Sequence, residues 1–171
     1  MKSMKQGTIS VIVGCHSQVH SLLVWLAWMH LYHKIPSPRQ TVCIILHDIG
    51  HWGKDYLDDV DAKHRHWELG AKIAGKLFGS RYYELCAGHD AYSGYARSEL
   101  YKADKYSWYI APYWWIYSNN IVEPKIKCGM KNWDAVLDFK KNVKASIESG
   151  QYNPTHDLFE QRKAAHALKE K

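Results

Sequence analysis

Apolar residues recur along this chain at intervals of three and four, the period of an amphipathic helix, and they seldom alternate. Over 17–34 the series Val19, Leu23, Leu26, Ala27, His30 and Leu31 keeps that spacing, and Pro36 and Pro38 end it. Residues 41–50, TVCIILHDIG, make a second apolar segment with Gly50 and Gly53 as stops. A third helix is expected over 62–77, after the acidic turn Asp58-Asp59-Val60-Asp61. There Trp67, Gly70, Ala71, Ala74 and Leu77 form one stripe ahead of Gly79. Segments 81–88, 96–119 and 132–148 follow. Pro112 is expected to kink or break the middle one and Pro124 to close it, while Asn132 is a candidate N-cap and Gly150 a stop. Only TISVIV, at 8–13, alternates at period two. The pattern predicts an all-α, single-domain helical bundle over 1–150, with 151–171 as a charged C-terminal helix or tail.

Composition narrows the class. With 171 residues and 46% apolar content, the chain is long enough for one domain with a real core, and too apolar for global disorder. The runs 22–29 and 108–117 are read as buried helix, since no apolar segment reaches the roughly 18 residues that span a bilayer. Cys15, Cys43, Cys86 and Cys128 lie far apart without a C-x-x-C pair, which excludes a zinc knuckle or a thioredoxin-type motif and suits a reduced, cytoplasmic protein. Lys2 and Lys5 ahead of a short apolar stretch ending Ile12-Val13-Gly14-Cys15 are similar to a lipoprotein cleavage signal, although Thr8 and Ser10 interrupt the run.

Charge is unevenly spread. Residues 1–46 carry four bases and no acids, 47–104 eight bases and ten acids, and 125–171 ten bases and six acids. An acidic middle between basic flanks suits a cation site that meets a small anionic substrate. Without a dense basic run carrying interleaved aromatics, no nucleic-acid partner is expected, and no membrane partner either.

The chemistry lies in the histidines, 11 in all. His47-Asp48 stands at the end of an apolar segment, where an imidazole and a carboxylate about 100° apart on a helix can share a metal placed over that end. The glycines after it would let the chain turn away and leave the site open. His20 in VHSLLVWLA, His66 in HWELGAKIA, His89 in CAGHDAYSG and Asp104 in ADKYS each fall in a different expected helix or at its end. Bundles project such side chains inward onto one or two metals. Any one His on an apolar face is more often a hydrogen-bonded core residue, but six in this order are hard to assign to chance.

In that order the residues resemble the HD-domain superfamily of metal-dependent phosphohydrolases, named for its His-Asp doublet. CIILHDIGH is similar to the doublet segment, VHSLLVWLA to the first-helix pattern of His, Ser and a Val four residues on, and ADKYS to the final Asp segment. The resemblance spans about 16–106. His66, with Gly70 four residues later, and His89 resemble the two further ligands of the binuclear subgroup. The resemblance implies two divalent ions (Mn, Fe, Mg, Zn, Co or Ni), with Asp48 bridging, His20, His47 and Asp104 on one, and His66 and His89 on the other. His16, one turn before His20, competes for the first position, and the His89-to-Asp104 gap is short for the pattern. His30, His33, His51 and His64 are assigned outer-shell, surface or structural roles.

Hydrolysis of a nucleotide or other small phosphoester by metal-activated water is the activity this implies, with Asp48 and Lys54 as catalytic residues. Lys54, seven positions after His47, stands where an ammonium could meet a phosphate; a solvated loop lysine is the alternative. Arg97 and Lys102 are weaker phosphate candidates. Trp108, Tyr109, Tyr113, Trp114, Trp115 and Tyr117 could stack a base or simply fill the core. Two other functions remain open: a binuclear-iron HD-type oxygenase, since an N/O ligand set also suits iron, and a non-catalytic nucleotide- or metal-binding protein.

Overall fold

A computed structural model describes residues 4–54, 64–123 and 133–150. Among them are eight α-helices and no strand: α1 Gln6–Val13, α2 Gln18–Tyr32, α3 Pro38–Leu46, α4 Trp67–Phe78, α5 Ser80–Ala87, α6 Glu99–Ile110, α7 Tyr113–Val122 and α8 Trp133–Glu148. A 3₁₀ turn, Ile49–His51, follows α3. The all-α fold expected from the periodicity is therefore present. The alternating TISVIV is not a strand: it lies within α1, too short a run for its period to outweigh helical packing against the 3₁₀ turn. Asn132, Pro124, Cys128 and the tail 151–171 fall outside the described residues.

Local chemistry sets several ends. At the start of α3 the Ser37 hydroxyl accepts from the Gln40 N–H at 3.3 Å, while Gln40 Oε1 accepts from the Ser37 N–H at 2.8 Å. This capping box, with Pro38 in the first turn, fixes where α3 begins. Pro112 breaks the segment expected over 96–119 outright. Helix α6 stops at Ile110 and α7 starts at Tyr113, because proline has no N–H to donate into the preceding turn. The buried Lys140 of α8 reaches across that break and donates to the carbonyls of Trp108 (3.3 Å), Tyr109 and Ala111 (2.7 Å), satisfying the exposed end of α6.

Helix α2 is apolar nearly all round, so its sequence does not choose which face goes inward. The structure turns His20, Leu23, Val24, Ala27 and Trp28 inward and leaves Val19, Leu22 and Leu26 at 39–56% exposure. The stripe expected through Val19 and Leu26 is thus rotated by about one residue, and the rotation carries His20 into the interior. Likewise Leu77, expected on the buried stripe of α4, is exposed, and Gly70, Ala71 and Ala74 carry the contact.

Three apolar clusters hold the helices. Val24, Ala27, Trp28, Ile44, Leu100 and Ala103 join α2, α3 and α6. Leu23, Ala111, Trp115, Ile116 and Val136 join α2, α7 and α8. Cys43, Ala71, Ala74, Cys86 and Ala87 join α3, α4 and α5. Adjacent Cys43 and Ile44 place α3 in two of these clusters, and the end of α3 is where His47-Asp48 stands. No single helix among the described residues is long and apolar enough to cross a membrane; α1 and α2 reach that test only together, across a 52° bend.

Candidate metal centre

The six residues expected as ligands converge, from five separate places in the fold. His20 comes from the first turn of α2, His47 and Asp48 from the end of α3, His66 from the residue preceding α4, His89 from the turn after α5, and Asp104 from α6. All are buried except His66, whose side chain is 15% exposed.

The Asp48 carboxylate divides the set in two. Its Oδ2 lies 3.1 Å from His47 Nε2 and 3.4 Å from His20 Nε2. Its Oδ1 lies 3.4 Å from His66 Nε2 and 3.6 Å from His89 Nε2. On the first side Asp104 Oδ1 adds a contact of 3.0 Å to His20 Nε2. His20, His47 and Asp104 thereby form one group able to hold a cation, and His47, Asp48 and His89 another.

Hydrogen bonds at the backs of the rings decide which nitrogens face inward. His47 Nδ1 lies 2.6 Å from the Ile44 carbonyl and His89 Nδ1 2.5 Å from the Cys86 carbonyl. A carbonyl only accepts, so both Nδ1 atoms carry the proton and, in the neutral rings, both Nε2 lone pairs point into the cluster. There the Nε2 atoms of His47 and His20 stand 3.4 Å apart, and those of His66 and His89 2.9 Å apart. Lone pairs at such separations repel unless a proton or a cation lies among them. Donor set, burial and ring orientation all fit divalent ions of the N/O-binding class.

Without metal, His47 is held in its protonated form. Burial opposes a charge on His47, but the Asp48 carboxylate outweighs it and pushes the pKa up to about 9. Asp48 moves the other way: burial would raise it, and the neighbouring His47 and His16 hold it well below the usual carboxylate range. Asp104 is likewise held low against its burial, chiefly by the Lys105 ammonium 2.8 Å from Oδ2.

Two close approaches explain the glycines of the pattern. A Cβ on Gly70 would stand 2.3 Å from the Leu46 carbonyl oxygen, and one on Gly50 1.7 Å from that of His66. Gly50 is buried in the 3₁₀ turn against the His66 backbone. Its role is contact between the two halves of the site, and the expected turn is made at Gly53, whose φ is +73°.

Other expectations fare unevenly. The Lys54 side chain is exposed, and the backbone of that residue joins the 3₁₀ turn to α1 by accepting from the Gly7 N–H at 2.9 Å. The Arg97 guanidinium lies over the Tyr101 ring at 4.8 Å. It also lines a surface hollow of about 420 Å³, with Gln40, Arg81, Tyr95 and Glu99, that contains none of the six ligands. Lys102 is exposed on α6. The aromatic cluster splits: Trp115 is buried and packs with Trp108 against the His20 ring, while Tyr113, Trp114 and Tyr117 are exposed.

The structure places His20, and not His16, beside His47 and Asp104. His16 stacks on His51 at 3.8 Å and joins His51 and Asp48 as a separate group around the same carboxylate. His51, assigned an ordinary role from the sequence, is buried and stacks in turn on His66 at 4.7 Å. Asp90, whose Oδ2 is 3.5 Å from His66 Nδ1, and Lys105 were also missed. Their one available signal is adjacency to the candidate ligands His89 and Asp104. No protein-family model, curated protein or solved structure matches this chain.

Proposed function

We propose that this protein is a metal-dependent phosphohydrolase of the HD-domain superfamily, acting on a nucleotide or another small phosphoester through two divalent ions. The observation that carries the reading is the Asp48 carboxylate, with one oxygen facing His20 and His47 and the other facing His66 and His89. The resemblance of CIILHDIGH to the superfamily's doublet segment supports it. When bound, such a pair of cations supplies Lewis acidity for a phosphoryl oxygen and an acidified water as nucleophile.

The chain's own residues prepare the site. Asp48 would serve both ions, one through each carboxylate oxygen; His20, His47 and Asp104 would hold one ion, and His66 and His89 the other. The Ile44 and Cys86 carbonyls fix the His47 and His89 rings by accepting their Nδ1–H bonds. Asp90 stands behind His66 and Lys105 behind Asp104, so a ligand on each side has a charged neighbour to orient it. Lys54, at the exposed end of the loop beside His51, is the candidate contact for a substrate phosphate.

The test is metal analysis of purified wild-type and variant protein, paired with phosphate release from a nucleotide panel under anaerobic conditions. We expect oxygen-independent phosphate release, and on Asp48→Ala the loss of that release together with a fall of two ions per chain. His66→Ala or His89→Ala should lower the stoichiometry by one ion per chain. Full activity of Asp48→Ala would overturn the assignment. Iron content with turnover only in oxygen would replace hydrolysis by oxygenation, and a bound nucleotide recovered unchanged would leave a binding protein.

A further inference from the structure

We propose that Cys15, His16 and Glu123 form a further divalent-cation site, of the zinc and cobalt class, which ties the α1–α2 connection to the end of α7. The inference does not depend on the phosphohydrolase reading. Ligand atoms from the three side chains lie within 4.8 Å of one another. Cys15 Sγ is 3.3 Å from His16 Nδ1, and the Glu123 carboxylate comes from 108 positions later in the chain. Tetrahedral bonds of roughly 2.3 Å to sulfur and 2.0–2.1 Å to nitrogen put neighbouring ligand atoms about 3.3–3.7 Å apart, so the sulfur–nitrogen spacing already suits one ion.

Glu123 supplies the independent observation. It is fully buried, and its Oε1 accepts from the Cys15 N–H at 3.1 Å. Its Oε2 is buried without a hydrogen-bond partner among the described residues. A buried carboxylate oxygen without a partner is costly, and a cation among these three side chains would satisfy it. One turn earlier on α7, Asn119 is also fully buried, with both ends of its amide lacking partners. Helical spacing puts it on the same face as Glu123.

A thiol, an imidazole and a carboxylate favour a borderline-soft ion such as Zn²⁺ over Mg²⁺ or Ca²⁺, which prefer all-oxygen sets. Binding would release the Cys15 proton, since thiolate is the ligand form. Because three ligands come from two distant segments, the ion would act as a staple. The Ser10 hydroxyl, 2.6 Å from His16 Nδ1, would have to turn away for that nitrogen to take the ion.

Cobalt titration of metal-free protein tests the proposal. We expect a thiolate-to-cobalt charge-transfer band in wild type, its persistence in Asp48→Ala, and its loss in Cys15→Ser. Glu123→Gln should weaken that binding by more than the roughly 10–100-fold that loss of an outer-shell partner costs. Absence of the band in wild type would overturn the site, as would a band surviving Cys15→Ser or vanishing in Asp48→Ala. If Cys15→Ser does not fold, zinc-edge X-ray absorption of wild type decides: a sulfur neighbour at about 2.3 Å supports the site, and a shell of nitrogen and oxygen alone overturns it. Lack of phosphate release with the band intact would count against the enzyme reading only.

Discussion

Lys105 shows how much of the site's electrostatics rests on single side chains. Its ammonium meets Asp104 Oδ2 at 2.8 Å, while Asp104 Oδ1 faces His20 at 3.0 Å. Burial would lower the lysine's pKa, and Asp104 outweighs it and raises the value. Lys105→Met leaves the carboxylate without that partner. In metal-free protein we expect a loss of about 1–3 kcal/mol, and a smaller loss when a divalent cation shares the charge. Denaturant unfolding with and without chelator measures both, and equal losses would mean that Asp104 meets no cation. At this scale the sequence is legible where a residue type is rare in its setting. His20, His47 and Asp48 stand out among aliphatic neighbours. His51 and Asp90 do not, because their importance lies in a ring stack and a carboxylate contact made across the fold.

Helix α4 reaches its neighbour through the absence of a side chain. Gly70 brings the helix against the last turn of α3, one turn beyond His66, so the spacing of His66 and Gly70 couples a candidate ligand to the contact that delivers it. Gly70→Ala has to force the Leu46 carbonyl away, and overpacking of this kind costs typically 1–3 kcal/mol. The expected outcome is a destabilised protein whose second metal binds more weakly than its first, read by denaturant unfolding and by stepwise metal titration. A stability loss with unaltered stoichiometry and affinity would separate the packing from the site. Most of the element order is legible beforehand, since caps, prolines and a 3.6-residue period are local signals. The inward face of α2 is not, because an almost wholly apolar helix has no polar side to give its orientation away.

Across the whole molecule, α8 closes the bundle by sending Lys140 to the carbonyl end of α6. Burial lowers its pKa from 10.5 to about 8. Between those values the unfolded chain holds a proton that the folded chain has lost, so folded stability gains with rising pH across that window. The slope is at most about 1.4 kcal/mol per pH unit. The stability difference between wild type and Lys140→Met should therefore move in favour of wild type between about pH 8 and 10, as followed by denaturant unfolding. A difference independent of pH in that range would refute the lowered pKa. From the sequence alone come the all-α class, the break at Pro112 and the identity of the six candidate ligands, because each depends on local spacing or on residue type. Tertiary structure decided that the six meet around one carboxylate, that His51 and Lys105 join them, that Lys54 stays exposed, and that Cys15 lies beside Glu123. Such contacts join segments far apart in the chain, and helical periodicity carries no information about which helix a given face will meet.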